Sequence, residues 1–338
     1  MSQRVFSKIQ WGLETVNGTA VAADTMLAFQ AQSVQPDRET HFPVENLGIR
    51  TQSTRATTYS RLAKYNLISA EGCYFQALPM LFSLLLKGNI TPVEQNGGEG
   101  DYLWTFTPDL TSGADNDLDS ITLEVGDDQQ AYEIEYGMLE SMNISGTVTQ
   151  DEGINPVVVN GSLFGRQVTA TSYTGAISLP TMTNLNSKLA RLYVDTSWAG
   201  IGGTEKTNIL RGFSIDIIGG AHPKFMGSAN PYFNTHGQGH IALMASLTLE
   251  RNAASDALFD DYQATTERFY RLEINGPQIG SGDVQNLTID FSGYLENVIP
   301  LASEDRGNNI DTAMVNMTYN DTGSKALQVT CTTNVSAI

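Results

Sequence analysis

A chain of 338 residues exceeds the roughly 100–200 of one ordinary domain, so two domains or one very large β domain are expected. Its 41% apolar residues suffice for a core, while 31 Gly with many Thr, Ser and Asn favour strands and turns over helices. A net charge of −18 argues against a nucleic-acid binder that works by counterion release, and no run of about 18 apolar residues marks a membrane span.

The charge is unevenly spread. Residues 1–65 carry seven basic and five acidic groups, a net of +2, which leaves −20 on the rest. A solvated acidic surface explains this, and so does a surface that meets DNA without holding it. The opening MSQRVFSKIQ has no apolar stretch of the secretory kind. Without one, triplets such as Asn143-Ile144-Ser145 read as chance, and Cys73 and Cys331, far apart in sequence, read as buried thiols rather than a disulfide.

Residues 1–39 are polar and rich in small residues without sustained period, and read as an extended arm. Strand-like segments follow near 46–58 and 60–72. CYFQALPMLFSLLLKG predicts a helix from about 73 to 87, ended by Gly88, with Pro79 starting or kinking its main body. Apolar residues on nearly every side predict its burial against a sheet. Short strands follow at YLWTFTP and SITLEVG.

AYEIEYGMLESMNISGTV is the clearest signal. Tyr132, Ile134, Tyr136, Met138, Met142, Ile144 and Val148 fall on one face, and Glu133, Glu135, Ser141, Asn143, Ser145 and Thr147 on the other. Only Leu139 and Glu140 break the alternation, where Gly137 is suited to a bulge. A strand over 131–149 spans about 50 Å and needs a large sheet beside it. The pattern returns in NILRGFSIDIIGG, HIALMASLTLER, a helix at NAASDALFDDYQA with Asn252 or Ser255 as N-cap, then FYRLEING, VQNLTIDFSGYLENVIP and NNIDTAMVNMTYN. Two copies of one unit of about 150 residues explain this order better than one huge sandwich. The divisions are an arm at 1–39, a first β domain at 40–185 and a second at 186–338, each domain flanked by one short α-helix.

Enzyme signatures are weak. His236 and His240 in HGQGH have metal-ligand spacing, but no nearby Cys or acid completes a site. GIGGTEKT puts Glu205 where a phosphate loop needs glycine before Lys206. Glu133/Glu135 and Asp127/Asp128 read as solvated acids rather than a glycosidase pair. No cofactor is implied and no enzyme is expected.

GLETVNGTAVAA near the start, the helix QALPMLFSLLLKG, YLWTFTP, ITLEVGD and the long hairpin from MLESMNISGTV to NGSLFGR come in an order that resembles the major tail tube proteins of long flexible-tailed bacteriophages. The resemblance covers about residues 10–168. It implies tail-tube-type β-sandwiches whose long strands form a shared inner β-barrel when subunits close a ring. Rings stack into a tube through which DNA leaves the capsid, and tape measure and tail terminator or tip proteins are the partners. The place is the virion tail, and the host cytoplasm during assembly, without membrane insertion. With two tube domains per chain, trimeric pseudo-six-fold rings are expected, with hexameric rings as the alternative. Within this reading Trp11, Glu14, Asn17 and Gly18 belong to an arm that orders on a neighbouring subunit, and Glu133, Glu135, Asn143 and Asp290 line the lumen. Another phage structural protein of baseplate or capsid, or a carbohydrate-binding β-sandwich adhesin, shares the strand pattern and stays open.

Overall fold

The computed structural model describes residues 6–51, 53–111, 116–148 and 155–338. It is mainly β, 50% strand and 9% helix. The first half runs β1 (Lys8–Leu13), β2 (Thr25–Met26), β3 (Gln35–His41), β4 (Thr57–Ile68), α1 (Leu78–Leu85), β5 (Val93–Glu94), β6 (Tyr102–Phe106), β7 (Ile121–Gly126), β8 (Ala131–Thr147), β9 (Val157–Gly165) and β10 (Val168–Thr171). The second runs β11 (Ala190–Asp195), β12 (Leu210–Ile218), β13 (Ala221–Lys224), β14 (Thr235–Gln238), β15 (Ala242–Glu250), α2 (Ala253–Gln263), β16 (Arg268–Gln278), β17 (Val284–Asp305), β18 (Asn308–Met317) and β19 (Leu327–Thr333). Among the described residues no helix is long and apolar enough to cross a membrane.

Period-two alternation dictates the central feature. Seven antiparallel ladders join eight strands in the order β3·β4·β9·β8·β12·β15·β18·β17. One face is apolar and buried: Tyr65 and Leu67, Val159 and Leu163, Met142 and Ile144, Ile215 and Ile217, Ala245 and Leu247, Ala313 and Val315, Leu295 and Val298. The other face is largely polar, because most of these side chains alternate with Asn, Ser, Thr or Asp, with Ile218, Met244 and Ile299 as exposed apolar exceptions. We call this the inner sheet. Against its apolar face pack α1, whose eight residues are all buried, α2, and two outer sheets.

The outer sheets borrow the two longest strands. Residues 131–134 of β8 lie between β7 and β10, and residues 286–291 of β17 lie between β16 and β19. Their C-terminal halves then enter the inner sheet beside β9 and β18. Each strand changes sheet next to a bulge, the usual device for turning such a corner. The extra residue is Glu140 in β8 and Glu296 in β17.

Register makes the two halves topological copies. β1·β7·β8·β9·β4·β3 in the first matches β11·β16·β17·β18·β15·β12 in the second, and each helix follows the matching strand, β4 or β15. Leu163 pairs with Leu139 and Tyr65; Val315 pairs with Leu295 and Ala245. Gly137-Met138-Leu139-Glu140 therefore corresponds in register to Gly293-Tyr294-Leu295-Glu296. The copies do not stand apart. β8 is hydrogen-bonded to β12 and β6 to β19, and one core cluster runs through both halves.

Several local expectations are corrected. Among the described residues of 46–56 there is no strand, and the hairpin partner of β4 is instead β3, in a stretch read mostly as arm. β1 is likewise no free arm: it pairs with β2 and β7, and Ile9 and Trp11 are buried in this chain's own core. Tyr136 and Met138 leave the face of Ile134 and Met142. A bulge between Ile134 and Gly137, with Tyr136 at φ +57°, reverses the alternation, and the Glu140 bulge restores it. Tyr136 and Met138 instead form a second small core with Leu118, Phe164, Ala221 and Phe233. Residues 1–5 of the expected arm and 149 of the expected strand lie outside the described residues.

Candidate functional site

The open face of the inner sheet carries an ordered row of polar side chains. Asn66 on β4, Asn160 and Ser162 on β9, Ser141 and Asn143 on β8, and Ser214 and Asp216 on β12 stand side by side across four strands. All but Ser214 line a concavity of about 560 Å³, together with Ile68 and Ile218. The face continues through Ser246 and Thr248 on β15 to Thr312 on β18. Asn143 Nδ2 donates to Ser214 Oγ and to Asp216 Oδ1, both at 2.8 Å, tying the first copy to the second. On β3 and β4, Asp37 and Lys64 pair at 2.9 Å. The face offers many short neutral dipoles and few unpaired charges, a chemistry that wets a surface without anchoring a polyanion.

The other expected lumen residues lie elsewhere. Glu133 and Glu135 sit in the outer-sheet part of β8 and are half-buried. Both have pKa values raised above the ordinary Glu value, first by burial; acids Glu124 and Glu14 add to this at Glu133, while Arg166 opposes it at Glu135. Asp290 is 5% exposed and accepts two hydrogen bonds from Arg271, at 2.7 and 2.8 Å. The turn after Asp195 covers this pair: Gly202 comes so close that a side chain there meets the Arg271 guanidinium. Of the four, Asn143 alone lies on the open inner face.

The opening motif has a local explanation. Gly12 lets the chain at Ala22 pass over β1, since a Cβ there falls 2.5 Å from the Ala22 carbonyl oxygen. Glu14, 5% exposed, accepts from the Gly18 amide (2.6 Å), Ser120 Oγ (2.5 Å), Thr122 Oγ1 (2.9 Å) and the Tyr136 amide (2.8 Å). Asn17 accepts from Ser120 Oγ and donates to the Leu118 carbonyl, and Gly18, at φ +80°, offers its carbonyl to Arg166. Trp11, Glu14, Asn17 and Gly18 are thus joined to their own chain rather than left unpartnered.

Sequence reasoning missed Asn66, Asn160, Ser214 and Asp216, though each alternates with buried neighbours. It also missed the repeated Gly-x-Leu-Glu of the two bulges. Of the weaker motifs, His236 reaches the Tyr136 hydroxyl at 3.1 Å, and Cys73 and Cys331 are buried, free thiols. Among the described residues no group of three or more His, Cys, Asp or Glu is arranged to hold a metal ion. No protein-family model and no curated protein matches the chain.

Proposed function

We propose that the chain is a tail tube subunit of the long flexible-tailed phage type, a structural protein whose copies close into rings that stack around a DNA conduit. One observation carries this reading: an eight-stranded sheet with one polar, open face is built from two copies of a unit joined edge to edge through β8 and β12. A sheet assembled from repeats has reason to continue into further repeats. Three chains then supply six units, and the polar face of Asn66, Asn143, Asn160 and Asp216 lines the lumen. The resemblance of residues 10–168 to tail tube proteins supports the same reading.

Negative-stain microscopy of concentrated protein, with the mass of the smallest closed particle, tests it. Rings or tubes with three chains per layer are expected. A protein that stays monomeric at every concentration and salt overturns the tube, and six chains per layer overturns the trimer.

A further inference from the structure

We infer that the β3–β4 hairpin of one copy docks on the open edge of β17 in a second copy, reproducing between chains the joint that β12 makes with β8 inside one. The inference deepens the tube reading by naming the two surfaces that meet and their register.

The internal joint supplies the template. Residues 212–218 of β12 pair antiparallel with 147–141 of β8, just beyond the Glu140 bulge, and the Gly219 amide donates to the Glu140 carbonyl at 3.0 Å. The hairpin that continues β12 then reaches across the first copy. Phe233 at its tip is fully buried against Tyr136, Met138 and Phe164. Arg166 holds the carbonyls of Phe233 and Asn234 at 3.2 and 3.1 Å.

Neither matching surface is used within one chain. Beyond Glu296, β17 pairs only with β18, so the edge that corresponds to the β12-binding edge of β8 is open. The counterpart of β12 is β3, which pairs only with β4. The loop beyond β3 exposes Phe42, Val44, Leu47 and Ile49, each by 46% or more, where the counterpart tip is docked. Apolar surface stands exposed at the other end too, at Ile299 and Leu301. Charge agrees: residues 35–64 carry five basic and three acidic groups, whereas 294–305 carry three acids and no base.

Ladder arithmetic fixes the register. Asp37 pairs with Leu62 as Ile218 pairs with Ala242, and Asn297 pairs with Met314 as Ser141 pairs with Ser162. Ile218 faces Ser141, so Asp37 faces Asn297 of the second copy, and Gln35 faces Ile299. The Arg61 amide points away from β3 to Pro231, so the backbone groups of Pro36 and Arg38 point outward. The Arg38 amide then donates to the Glu296 carbonyl as Gly219 does to Glu140. Pro36 and Pro300 each withhold one donor, which makes this joint weaker than the internal one and guards the edges against indiscriminate pairing.

The test places a cysteine pair across the joint. Facing Cα atoms at a non-hydrogen-bonded position lie about 4.5 Å apart, within disulfide reach, and the native thiols are buried. Full-length Asp37→Cys/Asn297→Cys protein, and separately Gln35→Cys/Ile299→Cys, is oxidised mildly at high concentration and run on a non-reducing gel beside microscopy. Covalent multimers in both pairs, absent from the single variants, are expected. Tubes without covalent multimers in either pair overturn the docking surface and leave the tube reading standing. Covalent closed rings that never stack support the surface and overturn the tube. Monomers without cross-links overturn both.

Discussion

Glu14 shows how one carboxylate fastens the end of β1 to two strands, β7 and β8. It accepts hydrogen bonds from two hydroxyls and two amides, so Glu14→Ala leaves four donors without their acceptor in a buried place. A loss of about 2–3 kcal/mol in urea unfolding is expected, since an unsatisfied buried group costs on the order of 1–3 kcal/mol and local rearrangement recovers part. Glu133 has the opposite sign. Burial, and then Glu124 and Glu14, hold its folded pKa above the ordinary 4.5. As pH falls the folded chain therefore takes up this proton before the unfolded chain does. Its charge opposes folding at neutral pH, and that opposition is relieved as pH drops through the raised value toward 4.5. Glu133→Gln is expected to raise Tm at pH 7, with a gain that shrinks as the pH approaches 4.5. A lower Tm at pH 7 contradicts this account of the site.

The elements divide by how local their causes are. Helix α2 is legible because its cap is: Asn252 Oδ1 accepts from the amides of Ala254 and Ser255, and Ser255 Oγ accepts from the Asn252 amide. Asn252→Ala is expected to cost about 1 kcal/mol in chemical denaturation, the usual value of an N-cap. Strands β8, β12, β15 and β18 are legible for a similar reason, since alternation is written residue by residue. The same alternation brings Asn143 to the open face between Met142 and Ile144. Long-range causes hide from such reading. QPDRETH has no apolar face and becomes β3 because β4 gives it a ladder. The phase reversal at Tyr136 depends on where β7 ends its pairing. Asp290 follows the strand period and is nevertheless covered, by Arg271 and by a turn near Gly202. The repeated order of elements is legible in the sequence, while the register that matches one half to the other comes only from the ladders of Leu163 and Val315.

At the scale of the molecule, the inner sheet presents one face to the core and leaves the other open. The sequence favours Glu133 and Glu135 as the residues that keep a channel slippery, whereas the ladders put Asn66 and Asn160 on the open inner face. These alternatives are separable. Asn66 and Asn160 are exposed, so Asn66→Lys/Asn160→Lys changes stability by within about 0.5 kcal/mol and leaves tube formation intact. If three chains form each layer, it adds six positive charges per layer to the channel wall, where screening over about 8–10 Å is incomplete. Such tubes are expected to retain DNA at low salt and release it as salt rises, because each phosphate contact returns a counterion to the strand. Wild-type tubes are expected to retain none in the same assay. Glu133→Lys tubes are expected to behave like wild type towards DNA, since that side chain faces the outer sheet near Glu124 and Glu14. Retention by Glu133→Lys tubes and not by Asn66→Lys/Asn160→Lys tubes reverses the inside and outside of the sheet, and retention by neither removes the inner face from the conduit.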